Sequence, residues 1–157
     1  MKKEKTTLRF NEPIGGKFVM PHHARMLKDL GFDWPVRSYY FKEFSNKKTM
    51  ALRTIHVAEN HNDPDLNQTE FCSAPSLYTA AKWLREEKGI FVEVLMRGKD
   101  MFEVVGKVYL PKCCPSVVHL FDLWDVEDGI VFPTYEIALM YGIGFALNLL
   151  KDKIETT

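Results

Sequence analysis

The chain holds only three cysteines, and two of them, Cys113 and Cys114, are neighbours. An odd count with no regular spacing excludes a secreted disulfide framework and fits a reducing cytoplasm. Net charge is missing as well: 21 Lys and Arg balance 21 Asp and Glu, so no overall field drives the chain toward DNA or anionic lipid. Long hydrophobic runs are scarce. The charge-free stretch 137–150 spans 14 residues, short of the roughly 20 that cross a bilayer, so no membrane partner is expected. The basic start MKKEKTTLRF is followed by neither an apolar run nor a small-residue cleavage site, so no signal peptide is expected. Repeats, low-complexity tracts and domain-dividing linkers are absent too. No GxSxG, P-loop, GxGxxG or HExxH spacing occurs, so no catalytic residue and no cofactor is implied.

What remains is an ordinary globular composition, 46% hydrophobic and 27% charged over 157 residues, enough to bury a full core without metal or disulfide. The charge is unevenly spread. Residues 1–53 hold 12 basic and 5 acidic side chains, whereas residues 113–157 hold 2 and 7. A basic front with an acidic rear is compatible with a nucleic-acid footprint, or with two ends that pack together and neutralise each other.

Periodicity predicts a polar tail over 1–17 and one domain over 18–157. The tail holds a possible edge strand at Leu8–Phe10. His23, Met26, Leu27 and Leu30 recur at helical spacing before Gly31, giving a short helix over about 22–30. Residues 36–44 are β-branched and aromatic, and Met50–Val57 is their hairpin partner. The polar stretch 58–70 reads as a loop. Leu77, Ala80, Ala81 and Leu84 mark a second helix, capped by Ser73 or Ser76 and ended by Gly89, with Trp83 half-buried at the margin of its apolar stripe. Ile90–Met96 and Phe102–Leu110 form a hairpin about Arg97–Asp100, and Val117–Trp124 another strand. Thr134 caps a last helix from Tyr135 to about Lys153. The sum is an α+β domain, an antiparallel sheet of four to six strands packed by about three helices.

Three blocks resemble a family of small uncharacterised proteins encoded by phages and prophages, chiefly of Bacteroidetes. The first comprises Ala24, Leu27, Lys28, Leu30, Gly31, Phe32 and Asp33. The second runs Ala74, Pro75, Trp83, Leu84, Arg85, Glu86, Gly89 and Ile90, similar to an APT…WLRE…GI pattern. The third is TYEIALMYGIGFALNLL, similar to a YEEAL…GI…AL ending. The resemblance covers roughly 60 residues and implies a small intracellular protein of mobile-element origin. It carries over no catalytic residue. The long N-terminal tail and the extended 97–129 region depart from it.

Four constellations are candidates for function. Arg37, Tyr39, Lys47, Lys48 and Arg53 mix bases and aromatics as single-strand binders do, and equally as a two-faced strand pair does. His56, Glu59, His61, Asp63 and Asp65 crowd one stretch, but their spacing matches neither a zinc site nor an EF-hand. A metal-dependent enzyme built on His56, His61 and Asp63 is therefore the alternative to a binding or assembly module. His119, Asp122, Asp125 and Asp128 are split between strand faces by alternation. The last helix has a second apolar face, Ile137, Met140, Tyr141 and Leu147, which predicts a homodimer or another protein partner, unless the chain itself covers it. All three thiols are expected to stay reduced, because a vicinal Cys113–Cys114 disulfide is strained.

Overall fold

The structure, a computed structural model, describes residues 17–43, 46–62, 71–109, 117–122 and 131–155. The possible strand at Leu8–Phe10 and the pair Cys113–Cys114 lie outside them. The order is α1 (Pro21–Asp29), β1 (Val36–Glu43), β2 (Asn46–Glu59), β3 (Phe71–Ser73), α2 (Leu77–Lys88), β4 (Ile90–Gly98), β5 (Met101–Tyr109), β6 (Val117–Asp122) and α3 (Tyr135–Glu155). This is an α+β fold, with three helices among the described residues. The six strands among them divide into two antiparallel sheets of three, β2-β1-β3 and β4-β5-β6. The division falls at α2, which leads straight into β4.

Local chemistry sets the ends of the elements. Pro21 opens α1, where its missing N–H costs nothing. Ser76 caps α2, its Oγ accepting the Thr79 N–H at 3.1 Å, so of the two expected caps Ser76 serves. Gly89 ends α2 at φ 66°, a left-handed conformation that glycine takes without a Cβ penalty. Thr134 Oγ1 accepts the Ile137 N–H at 3.2 Å and starts α3.

One core joins both sheets. Trp83, Phe32, Tyr40, Leu27 and Leu84 meet Ile143 and Leu147 there, all with at most 1% exposure. Trp83 is therefore fully buried and not half-buried. The Phe32 ring packs 5.5 Å from it and covers the flank that the helical stripe alone leaves open. Tyr40 satisfies its hydroxyl by donating to the Val19 carbonyl at 2.7 Å, and burial pushes its pKa up to about 12. β2 runs on to Glu59, two residues into the expected loop, and β3 is a strand too short for alternation to reveal.

Helix α3 lies between sheet β4-β5-β6 and the helices α1 and α2. Ile137 and Ala138 pack with Val104 and Phe132, while Met140, Ile143 and Leu147 pack with the main core. Ile137, Met140 and Leu147 are 5%, 4% and 0% exposed, and Tyr141 is partly buried. The expected interface on this face is thus corrected: the chain covers it with its own elements, and the face is core. Glycine permits the close approach on both sides. A Cβ on Gly142 would stand 2.5 Å from Val92 Cγ1 and Val104 Cγ2, and one on Gly144 would stand 2.6 Å from His23 Nε2.

Candidate binding face on the first sheet

Along β1 the side chains alternate cleanly. Val36, Ser38 and Tyr40 are buried, Arg37 is exposed, and Tyr39 and Phe41 are half-buried. Directly opposite residues of an antiparallel pair share a face. Tyr39 sits opposite Arg53 on β2 and Ser73 on β3, and Phe41 opposite Ala51 and Phe71. The outer face of this sheet therefore gathers Arg37, Tyr39, Phe41, Arg53 and Phe71.

The rings touch one another. Tyr39 and Phe71 have centroids 5.4 Å apart, Tyr39 and Phe41 6.2 Å, and Phe41 and Phe71 6.3 Å. The exposed Arg53 guanidinium lies 5.5 Å over the Phe41 ring, within cation–π range. Three of the five residues expected for nucleic acid, Arg37, Tyr39 and Arg53, are thus brought onto one face. Lys47 and Lys48 lie in the first residues of β2, and only their backbone is described.

His61 closes one end of this row, and it does so as a structural residue. Its ring stacks 4.4 Å from Tyr39. Its Nε2 lies 3.2 Å from the Val36 carbonyl, which can only accept, so Nε2 carries the proton. Its backbone N–H donates to Ser73 Oγ at 3.2 Å. Asn62 pins the same turn, donating from Nδ2 to the Phe32 carbonyl at 2.7 Å and accepting the Ser73 N–H at 2.9 Å. Burial lowers the His61 pKa, and its bonded carbonyl and Glu59 offset this in part. Burial thus favours the uncharged ring, and these contacts hold it in place.

That arrangement takes His61 away from the expected metal set. His56 is exposed on β2, Glu59 ends the strand, and Asp63 and Asp65 lie outside the described residues. Among the described residues no three His, Cys, Asp or Glu side chains are grouped to hold a metal ion. His119 and Asp122 are backbone partners of Lys107 and Val105 through β6, and Asp125 and Asp128 lie outside the described residues.

Other titratable groups are absorbed by packing. His23 on α1 is buried against Gly144, and desolvation, with help from His22, drops its pKa to about 4. Cys72 is a free, buried thiol, pushed up to about 11 by desolvation. Glu103 on β5 is fully buried, with the Arg97 guanidinium 2.6 Å away. Sequence reasoning missed Phe71 and His61 as members of the aromatic face. The available signal was the alternation Phe71-Cys72-Ser73, too short to stand out beside a polar loop. Among the described residues no helix is long and apolar enough to cross a membrane. Compared with known proteins, the chain matches no family model, no curated protein and no solved structure.

Proposed function

We propose that the protein is a non-enzymatic binding module that takes single-stranded nucleic acid on the outer face of sheet β2-β1-β3. The observation that carries this reading is the contiguous set of half-exposed rings, Tyr39, Phe41 and Phe71, flanked by the exposed cations Arg37 and Arg53. Bases stack on such rings whatever their sequence, and arginines meet the phosphates. The zero net charge of the chain agrees with modest, salt-labile affinity rather than tight electrostatic capture. The resemblance to phage- and prophage-encoded proteins supports a cytoplasmic role within a mobile element. The enzyme alternative loses support because His61, one of its three residues, has its ring engaged by Val36 and Tyr39.

Fluorescence anisotropy with labelled eight-nucleotide strands at low salt tests the reading. Stacking is worth about 1–3 kcal/mol per base, so Tyr39→Ala and Phe41→Ala should each weaken binding roughly 5- to 150-fold. Two phosphate contacts predict a log–log salt slope near −1.4, at about −0.7 per contact. Wild-type binding that survives Tyr39→Ala with Phe41→Ala unchanged would place the site elsewhere and end this assignment.

A further inference from the structure

Strand β4 is one edge of its sheet. It pairs with β5 from Ile90 to Gly98, and among the described residues no strand pairs with its other side. An edge strand presents a row of backbone N–H and C=O groups ready to take another strand. On β4 that row carries the apolar run Val94-Leu95-Met96, with Leu95 39% and Met96 73% exposed.

Two charges bracket this run, each two residues from Leu95. Glu93 lies opposite Val105 and is ion-paired with Lys107 on β5. Arg97 is the extra residue where the ladder shifts between Met96 and Gly98. Its guanidinium, 2.6 Å from Glu103, places it on the face of Leu95, which sits opposite Glu103. Glu93, Leu95 and Arg97 therefore share one face, with an acid at one end, a base at the other and an exposed leucine midway.

Reversed, that order is its own complement. We propose that β4 pairs antiparallel with β4 of a second copy of this chain, with Leu95 on the two-fold axis. In this register Leu95 meets its own counterpart, Val94 meets Met96, and Glu93 meets Arg97 twice over. Directly opposite side chains have Cβ atoms about 4.5–5.5 Å apart, close enough for ion pairs. At each end of the junction the charges then alternate as Lys107, Glu93, Arg97 and Glu103, and the Arg97 fork has donors enough for both carboxylates. Moving the axis to Val94 or Met96 sets Glu93 or Arg97 against Leu95 and loses both ion pairs, so charge selects the register. A two-fold contact of this kind closes at two copies instead of growing into a fibre. It does not involve sheet β2-β1-β3 and does not draw on the nucleic-acid reading.

Sedimentation equilibrium on the full chain, from micromolar concentration upward, tests the pairing, and the wild type should form dimers. Glu93→Lys with Lys107→Glu keeps an ion pair within the chain but makes both contacts with Arg97 of the other copy repulsive. Association should weaken about fourfold or more. Leu95→Lys, at an exposed position, sets like charges face to face on the axis and should give monomers; circular dichroism checks that both variants fold. Cysteine trapping then fixes the register, in a background with Cys113→Ser and Cys114→Ser. Opposed residues of an antiparallel pair have Cα atoms about 4.5–5.5 Å apart, inside the disulfide range, so Leu95→Cys should cross-link under mild oxidation. Met96→Cys is at the more exposed position but stands diagonally from its counterpart, at about 7–8 Å, and should cross-link more slowly. A wild type that stays monomeric overturns the pairing. So does a dimer that either folded variant leaves intact, or cross-linking at 96 that is as fast as at 95.

Discussion

Replacing Gly142 by alanine tests whether α3 is wedged against the second sheet. In an exposed helix the change should stabilise by about 1 kcal/mol, because glycine is the poorer helix former. Here the added methyl would lie 2.5 Å from one methyl of Val92 and one of Val104, both on strands of the sheet beneath. Carbon atoms pack best at about 3.5–4.0 Å, so two contacts are each too short by about 1 Å or more. Neither valine has a flexible far end to swing aside, since branching at Cβ leaves few rotamers. Overpacking of this size costs about 1–3 kcal/mol. Set against the propensity gain, Gly142→Ala should destabilise by up to about 2 kcal/mol. Urea titration followed by circular dichroism gives the midpoint, and an unchanged m value shows that the native state has not expanded. The double variant Gly142→Ala with Val104→Ala removes one of the two obstacles. It should lose at least about 0.5 kcal/mol less than the sum of the single losses, as contacting residues do. A stabilised Gly142→Ala, or strict additivity in the double variant, would refute the close approach.

Three further outcomes follow from burial. His23 has a folded pKa of about 4 against 6.5 in the unfolded chain, so its contribution is fully present above pH 6.5 and is lost as pH falls toward 4. At 1.36 kcal/mol per unit this is about 3 kcal/mol, and urea midpoints across that range should fall in the wild type and much less in His23→Leu; equal slopes would acquit His23. Met140→Glu with Leu147→Glu buries two unpaired charges at core positions, at several kcal/mol each. Light scattering and circular dichroism should show unfolding, and a well-folded double variant would return this face to the surface. Cys72, in a background with Cys113→Ser and Cys114→Ser, should resist a thiol reagent in the folded protein and react at once in urea. Rapid native labelling would contradict its burial.

The elements with long periods were legible. The spacing of Leu77, Ala80, Ala81 and Leu84 before Gly89 placed α2 within a residue or two, and Thr134 marked the start of α3. Gly142 and Gly144, two residues apart and so on opposite faces of α3, both admit close neighbours. Other features depend on register between distant strands, which periodicity does not encode. The split into two sheets follows from β1 pairing with β3 across 60–70, and β3 is only three residues long, beginning at Phe71. The same pairing brings Phe71 beside Tyr39 and Phe41, so the binding face emerges only with β3 in place. Likewise an all-round apolar helix announces that it needs two partners. Whether α1 and α2 or a second chain supplies one of them is decided by tertiary packing, here within the chain.

Helix α3 comes after every strand in chain order, yet it is the element that covers β4 and β5 and abuts α1 and α2. During synthesis the two hairpins and both earlier helices therefore leave the ribosome before their shared lid exists. At roughly 5–20 residues per second, the interval between the end of β5 at Tyr109 and the middle of α3 lasts several seconds. Throughout it Val92, Val104, Trp83 and Leu27 have no α3 to pack against. A nascent chain stalled before Tyr135 should consequently present exposed apolar surface to a chaperone, and one stalled after α3 has emerged should not.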